Sequence, residues 1–123
     1  MIAVSQTFPN YVAGFICSGR VTKREYDDVL IPHVERALAS EGKLRLYYET
    51  SPDFSIAPGA MWEDFRFGFQ HLKRWERIAV VTDVEWLSHT LRAFSFLLPG
   101  RLRAFSGSEA ELARAWIVAN PSD

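Results

Sequence analysis

The segment that most restricts the fold is RIAVV at residues 77–81, in which four consecutive apolar residues follow a charged one. A strand with one buried face alternates apolar and polar residues, and this run does not alternate. Such runs are typical of a strand inside a parallel sheet, where both faces are covered. The sequence TDVE follows at once and has the form of a helix start. We therefore expect a strand-to-helix connection of the kind that builds α/β folds.

The same helix-start pattern occurs three times, as TKRE at residues 22–25, TDVE at 82–85 and SEAE at 108–111. In a capping box the hydroxyl accepts from a free helix N–H, and the glutamate three residues later accepts from the N–H of the cap residue. Apolar residues at spacings of three and four follow each match, as in amphipathic helices. These patterns predict helices over residues 23–41, 83–97 and 109–118. Similar apolar spacing predicts a helix over residues 60–74.

Single residues refine two of these helices. Pro32 lies inside the first helix and is expected to kink it, because proline has no N–H to donate. Gly42 is expected to end that helix in a left-handed conformation. The final helix is expected to bury Leu112 and Trp116, which are one turn apart.

Strand patterns fill the intervals between the helices, at residues 1–6, 11–19, 43–50, 77–81 and 101–105. The first two flank a turn of sequence FPN and predict an N-terminal hairpin. The resulting order, β-β-α-β-α-β-α-β-α, predicts a single α/β domain over residues 1–123. We expect one open, mostly parallel sheet of about five strands, with an antiparallel N-terminal edge strand and four helices.

Composition argues against several classes of protein. The chain has 123 residues and a formal net charge of -1, so no basic surface favours nucleic-acid binding. Its one cysteine, Cys17, cannot form an internal disulfide and is expected to be a buried apolar residue. The N-terminal residues do not resemble a signal peptide, and no apolar run approaches the length of a transmembrane segment. A cytoplasmic location is therefore expected.

Several segments together resemble the SpoIIAA-like family. They are Gly19 with VTKREYDDVLIPHVERAL, then KLRLYYE, then Trp62 and Asp64 with FGFQH, then RIAVVTDVEWL, and finally RLRAF before the helix that contains Trp116. Members are small bacterial proteins related in fold to the STAS domains of anti-sigma factor antagonists, and more loosely to CRAL-TRIO (Sec14-like) lipid-binding domains. The resemblance implies a STAS-like α/β fold and no particular biochemical activity.

The chain departs from the antagonists at their regulatory site. Their phosphorylated serine lies in an Asp-Ser-Ser-Gly-like turn after the second parallel strand. The corresponding connection here, ETSPDFSIAPGAMWED at residues 49–64, contains hydroxyl residues but no such motif. The phosphoserine is therefore not transferred to this chain.

No catalytic or metal-binding motif is apparent. The three histidines, His33, His71 and His89, are scattered over three predicted helices without metal-ligand spacing. Glu85 and His89 are four residues apart and are expected to form an exposed ion pair. There is no nucleophile elbow and no phosphate-binding loop. We therefore expect a protein that is not an enzyme and has no metal or cofactor.

Polar and aromatic residues nevertheless define a candidate ligand site. Asp83 follows a central parallel strand, where α/β sheets often bind ligands, although Thr82 and Asp83 also suit the cap of the next helix. Asp64 and His71 share a face of the second helix, where they also match the electrostatic preference of helix ends. An enzymatic role would require two of these three side chains to converge on one cleft. The candidate ligand-binding residues are Trp62, Asp64, Phe67, His71, Asp83 and Trp86.

Apolar residues beyond those needed for a core suggest a second buried surface. Phe67 lies outside the apolar stripe of its helix, as do Phe96 and Leu97 in theirs. A subunit interface, an apolar pocket or packing under loops would each account for them. The candidate interface residues are Phe67, Phe94, Phe96, Leu97 and Leu98. The sequence thus predicts a non-enzymatic, homodimeric STAS-like module that acts through contacts with a protein partner. The alternative is a carrier of a lipid or other apolar ligand in a Sec14-like pocket.

Overall fold

The strands of the main sheet lie where the apolar runs predict them. A computed structural model describes residues 1–60, 66–67, 70, 72–95 and 101–119. The strands are β1 (Ile2–Val4), β2 (Val12–Cys17), β3 (Arg20–Val21), β4 (Leu44–Thr50), β5 (Ser55–Ile56), β6 (Trp75–Val81) and β7 (Leu102–Phe105). Five of them form one sheet in the order β1-β2-β4-β6-β7, with β1 antiparallel to β2 and the other neighbours parallel. The predicted fold class is confirmed.

Helices connect these strands in the predicted order. Helix α1 comprises Lys23–Glu25, Tyr26–Leu30 and Ile31–Glu41, α2 comprises Glu85–Phe94, and α3 comprises Ala110–Val118. Residues 58–60, 66–67 and 70 are also helical, and all but 58 and 59 lie within the predicted helix over residues 60–74. Short 3-10 turns precede β6 at Leu72–Arg74 and α3 at Gly107–Glu109. A two-residue parallel pairing of β3 with β5 was not predicted from the sequence.

Only one of the three predicted capping boxes forms at its predicted residues. Thr22 and Glu25 make both reciprocal bonds at the start of α1. The prediction for residues 82–85 is wrong, because α2 begins at Glu85 after a cap residue, Val84, that makes no side-chain bond. The prediction for residues 108–111 is wrong by two positions, because Ser106 and Glu109 form the box instead.

Pro32 and Gly42 both affect α1. The turn before the proline, Tyr26–Leu30, is π-helical, and the N–H of Ile31 bonds to the carbonyl of Tyr26. The wider turn accommodates a proline that cannot donate to the carbonyl four residues earlier. Gly42 ends the helix as predicted and has a positive φ of 74°, but its ψ of -57° lies outside the left-handed helical region that was expected.

The sheet separates two apolar cores. The larger core contains buried residues of α1, β2 and β4, with Leu87 and Leu91 of α2 packed against it. Cys17 is fully buried there, as predicted. The smaller core, on the opposite face, contains Ala113 and Ile117 of α3. Leu112 is 54% exposed, so the prediction that it is buried is wrong.

Arginines attach the end of α3 to the sheet. Arg45 of β4 donates through Nη1 to the carbonyls of Ile117 and Ala119, at 2.9 and 2.5 Å. Its Nε donates to the Glu76 carboxylate at 2.7 Å, and its side chain is almost completely buried. Arg77 of β6 donates to the carbonyl of Trp116 at 2.6 Å. The last carbonyls of a helix lack intrahelical partners, and these guanidinium groups supply them.

Candidate functional site

The carboxyl ends of the parallel strands form the edge at which ligand sites are expected in α/β sheets. After β6 the chain continues into α2, which packs on the larger core, whereas after β7 it continues into α3 on the opposite face. Diverging connections of this kind leave a crevice between neighbouring strand ends. Asp83 lies at this point, directly after the Thr82 that follows β6.

The Asp83 side chain occupies the space between the two connections. Its Oδ1 accepts a hydrogen bond from the N–H of Gly107 at 3.0 Å. A Cβ atom at Gly107 would overlap the Asp83 carboxylate, so the glycine permits this close approach. Asp83 therefore caps the turn that leads into α3, and the prediction that it caps the helix directly after it is wrong. This geometry favours a structural role for the carboxylate.

Thr82 is buried, and its hydroxyl oxygen accepts two hydrogen bonds from within the fold. Its Oγ1 receives a hydrogen bond from the Thr50 hydroxyl at 2.7 Å and another from the N–H of Val84 at 3.0 Å. The hydroxyl therefore joins the ends of β4 and β6 and does not cap α2. In the described part of the chain, no buried side-chain nitrogen or oxygen lacks a hydrogen-bond partner.

The second face of the sheet carries a titratable cluster of three side chains. The Tyr47 hydroxyl donates to the Glu49 carboxylate, and Arg114 of α3 lies 3.9 Å from the same carboxylate. Burial raises the pKa of Tyr47, and the hydrogen bond and negative charge of Glu49 raise it further. The phenol therefore stays protonated near neutral pH and is a poor nucleophile. The arrangement is suited to holding α3 on the sheet.

Trp86 is the candidate ligand-binding residue with the clearest surface position. It lies in the first turn of α2 and is 42% exposed. Its indole stacks on Phe54, with ring centroids 6.3 Å apart and an interplanar angle of 20°. Phe54 meets Tyr48 edge to face at 6.3 Å, and the hydroxyls of Tyr48 and Tyr26 are 2.9 Å apart in the core. We call these four residues the aromatic column; it connects an exposed indole to the interior.

The other candidate residues fall into two groups. Phe67 lies outside the apolar stripe expected for its helix, yet it is only 7% exposed and belongs to the larger core; its ligand or interface role stays a prediction. Phe94 is the last residue of α2. The remaining candidates lie outside the described residues; they are Trp62, Asp64, His71, Phe96, Leu97 and Leu98.

No convergent catalytic or metal-binding group is found among the described residues. No three side chains of histidine, cysteine, aspartate or glutamate lie close enough there to hold a metal ion. Glu85 and His89 are both exposed, and no ion pair joins them in this part of the chain, contrary to expectation. The Asp83 side chain accepts its hydrogen bond from the backbone N–H of Gly107 and not from a histidine.

Sequence reasoning missed Phe54. It is the one aromatic residue in the polar segment SPDFS, residues 51–55, and it is 6% exposed. An isolated aromatic residue in a polar loop was the available signal. Its partner Trp86 is 32 positions away, and only the neighbouring positions of β4 and β6 bring the two together.

The described part of the chain thus defines an STAS-like α/β protein with a mixed five-stranded sheet. The model of the SpoIIAA-like family matches residues 12–118, and the chain belongs to that family. A crystal structure of an uncharacterised protein from Shewanella loihica PV-4 with a SpoIIAA-like fold superposes with a TM-score of 0.71 at 21% identity. The match covers 95% of this chain and 92% of that one, and it establishes similarity of fold. No curated protein matches the chain significantly.

Among the described residues, no helix has the length and apolar character needed to cross a bilayer.

Proposed function

We propose that the protein is a non-enzymatic regulatory or binding module that acts through protein–protein contacts centred on Trp86. The observation that carries the proposal is an indole that remains 42% exposed while its ring is held by Phe54. Tryptophan residues are enriched among the residues that dominate binding energies at protein interfaces. A side chain that is already ordered loses less conformational entropy on binding than a mobile one does.

The groups beside Trp86 favour binding over catalysis. Thr50 and Thr82 bond to each other, and Asp83 bonds to a backbone N–H. These polar groups are therefore engaged in maintaining the fold. Membership of the SpoIIAA-like family supports the same interpretation, because STAS-related domains include regulatory modules that bind other proteins.

The charge around the indole indicates the kind of partner. Asp53 precedes Phe54 in sequence, Glu85 precedes Trp86, and both carboxylates are exposed, as is that of Asp83. These carboxylates lie close to the aromatic pair in sequence, so a partner that combines an apolar pocket with basic side chains is complementary to them.

Site-specific photo-crosslinking in cells, followed by binding measurements, tests this proposal. A benzoylphenylalanine is placed at Trp86 in one variant and at Leu112, an exposed apolar residue on the opposite face, in the control. We expect an adduct that forms from position 86 and not from position 112. The partner is identified from the adduct and purified on its own. Its affinity for the protein is then measured by calorimetry.

Substitution of Trp86 tests whether the indole contributes to partner binding. We expect Trp86→Ala to weaken binding of the purified partner at least about tenfold, as for a residue that dominates an interface, while Leu112→Ala changes it less than about twofold. Circular dichroism verifies that both variants are folded. Equal effects of the two substitutions, or adducts that do not distinguish the two positions, would contradict the proposal.

The carrier alternative has no comparable support. It predicts a cavity between the sheet and the helices predicted over residues 60–74 and 83–97, and no observation on the described residues favours one. Native mass spectrometry of the gently purified protein tests it, since a carrier should retain a bound lipid.

A further inference from the structure

A pocket of about 450 Å³ lies between the β1–β2 turn and the second half of α1. The helix contributes His33, Arg36, Ala37 and Ser40. Their spacing of three, one and three residues places them along a single helix face. The turn contributes polar side chains from residues 5–10. The volume is within the range of about 300–1,000 Å³ that is usual for small-molecule sites.

The lining carries positive charge without a compensating carboxylate. Arg36 is exposed, and within the described residues no ion pair involves its guanidinium. No aspartate or glutamate is among the residues that line the pocket. A guanidinium presents parallel N–H donors that match the two oxygens of a carboxylate or phosphate group.

His33 provides a second polar group beside Arg36. Its ring meets Phe15 edge to face, with centroids 5.4 Å apart and an interplanar angle of 83°, which fixes its orientation. Both side chains line the pocket. Partial burial lowers the pKa of His33, and the positive charge of Arg36 lowers it further. A neutral imidazole both donates and accepts one hydrogen bond. The pocket thus combines one fixed charge with a neutral donor–acceptor group.

We propose that this pocket binds a small organic anion that carries a carboxylate or phosphate group. Arg36 pairs with the anionic group, and His33 hydrogen-bonds to it. The pocket is at the amino end of β2, whereas the Trp86 surface is at the carboxyl ends of the strands. This proposal therefore goes beyond the protein-binding function and is independent of it.

NMR titration of the ¹⁵N-labelled protein tests the proposal with four probes that share a benzene ring. Benzoate and phenyl phosphate are the anions, benzyl alcohol is the neutral control and benzylamine is the cationic control. We expect saturable shifts with an anion at residues 5–10 and 33–40, and none with the two controls. Comparison of the anions distinguishes a preference for carboxylate from one for phosphate. Binding should also raise the pKa of His33, because the anion offsets the charge of Arg36.

Two matched substitutions test whether the Arg36 guanidinium is responsible for anion binding. Arg36→Gln should weaken anion binding at least about tenfold through loss of a charge-assisted hydrogen bond. Arg24→Gln makes the same change of charge on α1 at an exposed position outside the pocket and should change binding less than about twofold. The proposal fails if benzoate and phenyl phosphate shift the pocket no more than benzyl alcohol does. It also fails if the two substitutions weaken binding equally, since only the net charge would then matter.

Discussion

The close approach of Phe8 to Gly14 makes the effect of Gly14→Ala on the free energy of unfolding depend on whether the Phe8 ring is present. Gly14 lies in the middle of β2, and a Cβ added there would be 2.5 and 2.7 Å from two ring carbons of Phe8. That ring is not free to move, because it packs on Tyr47 at a centroid distance of 4.8 Å and carries the Arg114 guanidinium 5.2 Å from its centroid. Gly14→Ala must therefore displace a side chain that joins the turn to the smaller core.

The magnitude follows from two opposing effects. Overpacking of a well-filled site costs about 1–3 kcal/mol. Replacing a glycine within a strand by alanine stabilises by about 0.5–1 kcal/mol when the added methyl group has room. We expect Gly14→Ala alone to lower the free energy of unfolding by about 1–2 kcal/mol. In a Phe8→Ala background, where the ring is absent and the Ser5 Cβ remains 3.3 Å away, the same change should alter it by less than about 0.5 kcal/mol.

Urea unfolding of the four proteins in this cycle measures the coupling between the two sites. A coupling of about 1–2 kcal/mol is expected. If Gly14→Ala has the same effect with and without Phe8, to within about 0.5 kcal/mol, the contact does not determine why glycine occupies this position.

Two further predictions concern Arg45 and His33. Arg45→Met should lower the free energy of unfolding by about 2–3 kcal/mol, because it leaves buried carbonyls and the half-exposed Glu76 carboxylate without their partner; urea unfolding measures the loss, and a change below about 0.5 kcal/mol would show that water replaces the guanidinium. The pKa of His33 is lower in the folded protein than the value of 6.5 in the unfolded chain, so the unfolded chain binds a proton at this histidine more readily. The contribution of neutral His33 to stability is therefore complete above pH 6.5 and is lost as the pH falls below that value. The urea midpoint should fall more between pH 7.5 and 5.5 in the wild-type protein than in His33→Gln, and equal falls would contradict the assignment.

Strand positions could be predicted because they depend on composition that is local to each strand. The run at residues 78–81 has no polar residue that could face water, and it lies in the interior of the sheet as part of β6. Helix starts were harder to predict. SGSEAE at residues 106–111 contains two overlapping capping boxes, and the end of β7 at Phe105 selects the earlier one. Thr82 had a suitable sequence but bonds to Thr50 of a neighbouring strand, which local sequence does not reveal.

The face of α3 shows a similar ambiguity. The pairs 112/116 and 113/117 both have the four-residue spacing of a buried stripe. The structure buries Ala113 and Ile117 and leaves Leu112 exposed, which corresponds to a rotation of the helix by about one residue. The small Ala113 side chain permits a close approach to the sheet, a preference that hydrophobicity alone does not indicate. Trp86 was among the candidates because large aromatic and apolar residues are crowded on its helix, whereas its support from Phe54 depends on long-range packing.

The attachment of α3 by donors from β4 and β6 has a consequence for biosynthesis. The helix receives its closing hydrogen bonds from residues that are translated some 40 to 70 positions earlier. Until α3 has been synthesised, the Phe105 ring lacks its contact with Trp116, and the Tyr47 ring is covered by Phe8 without the α3 side chains. The nascent chain therefore leaves part of this aromatic surface open to chaperones until α3 has been synthesised and has docked on the sheet.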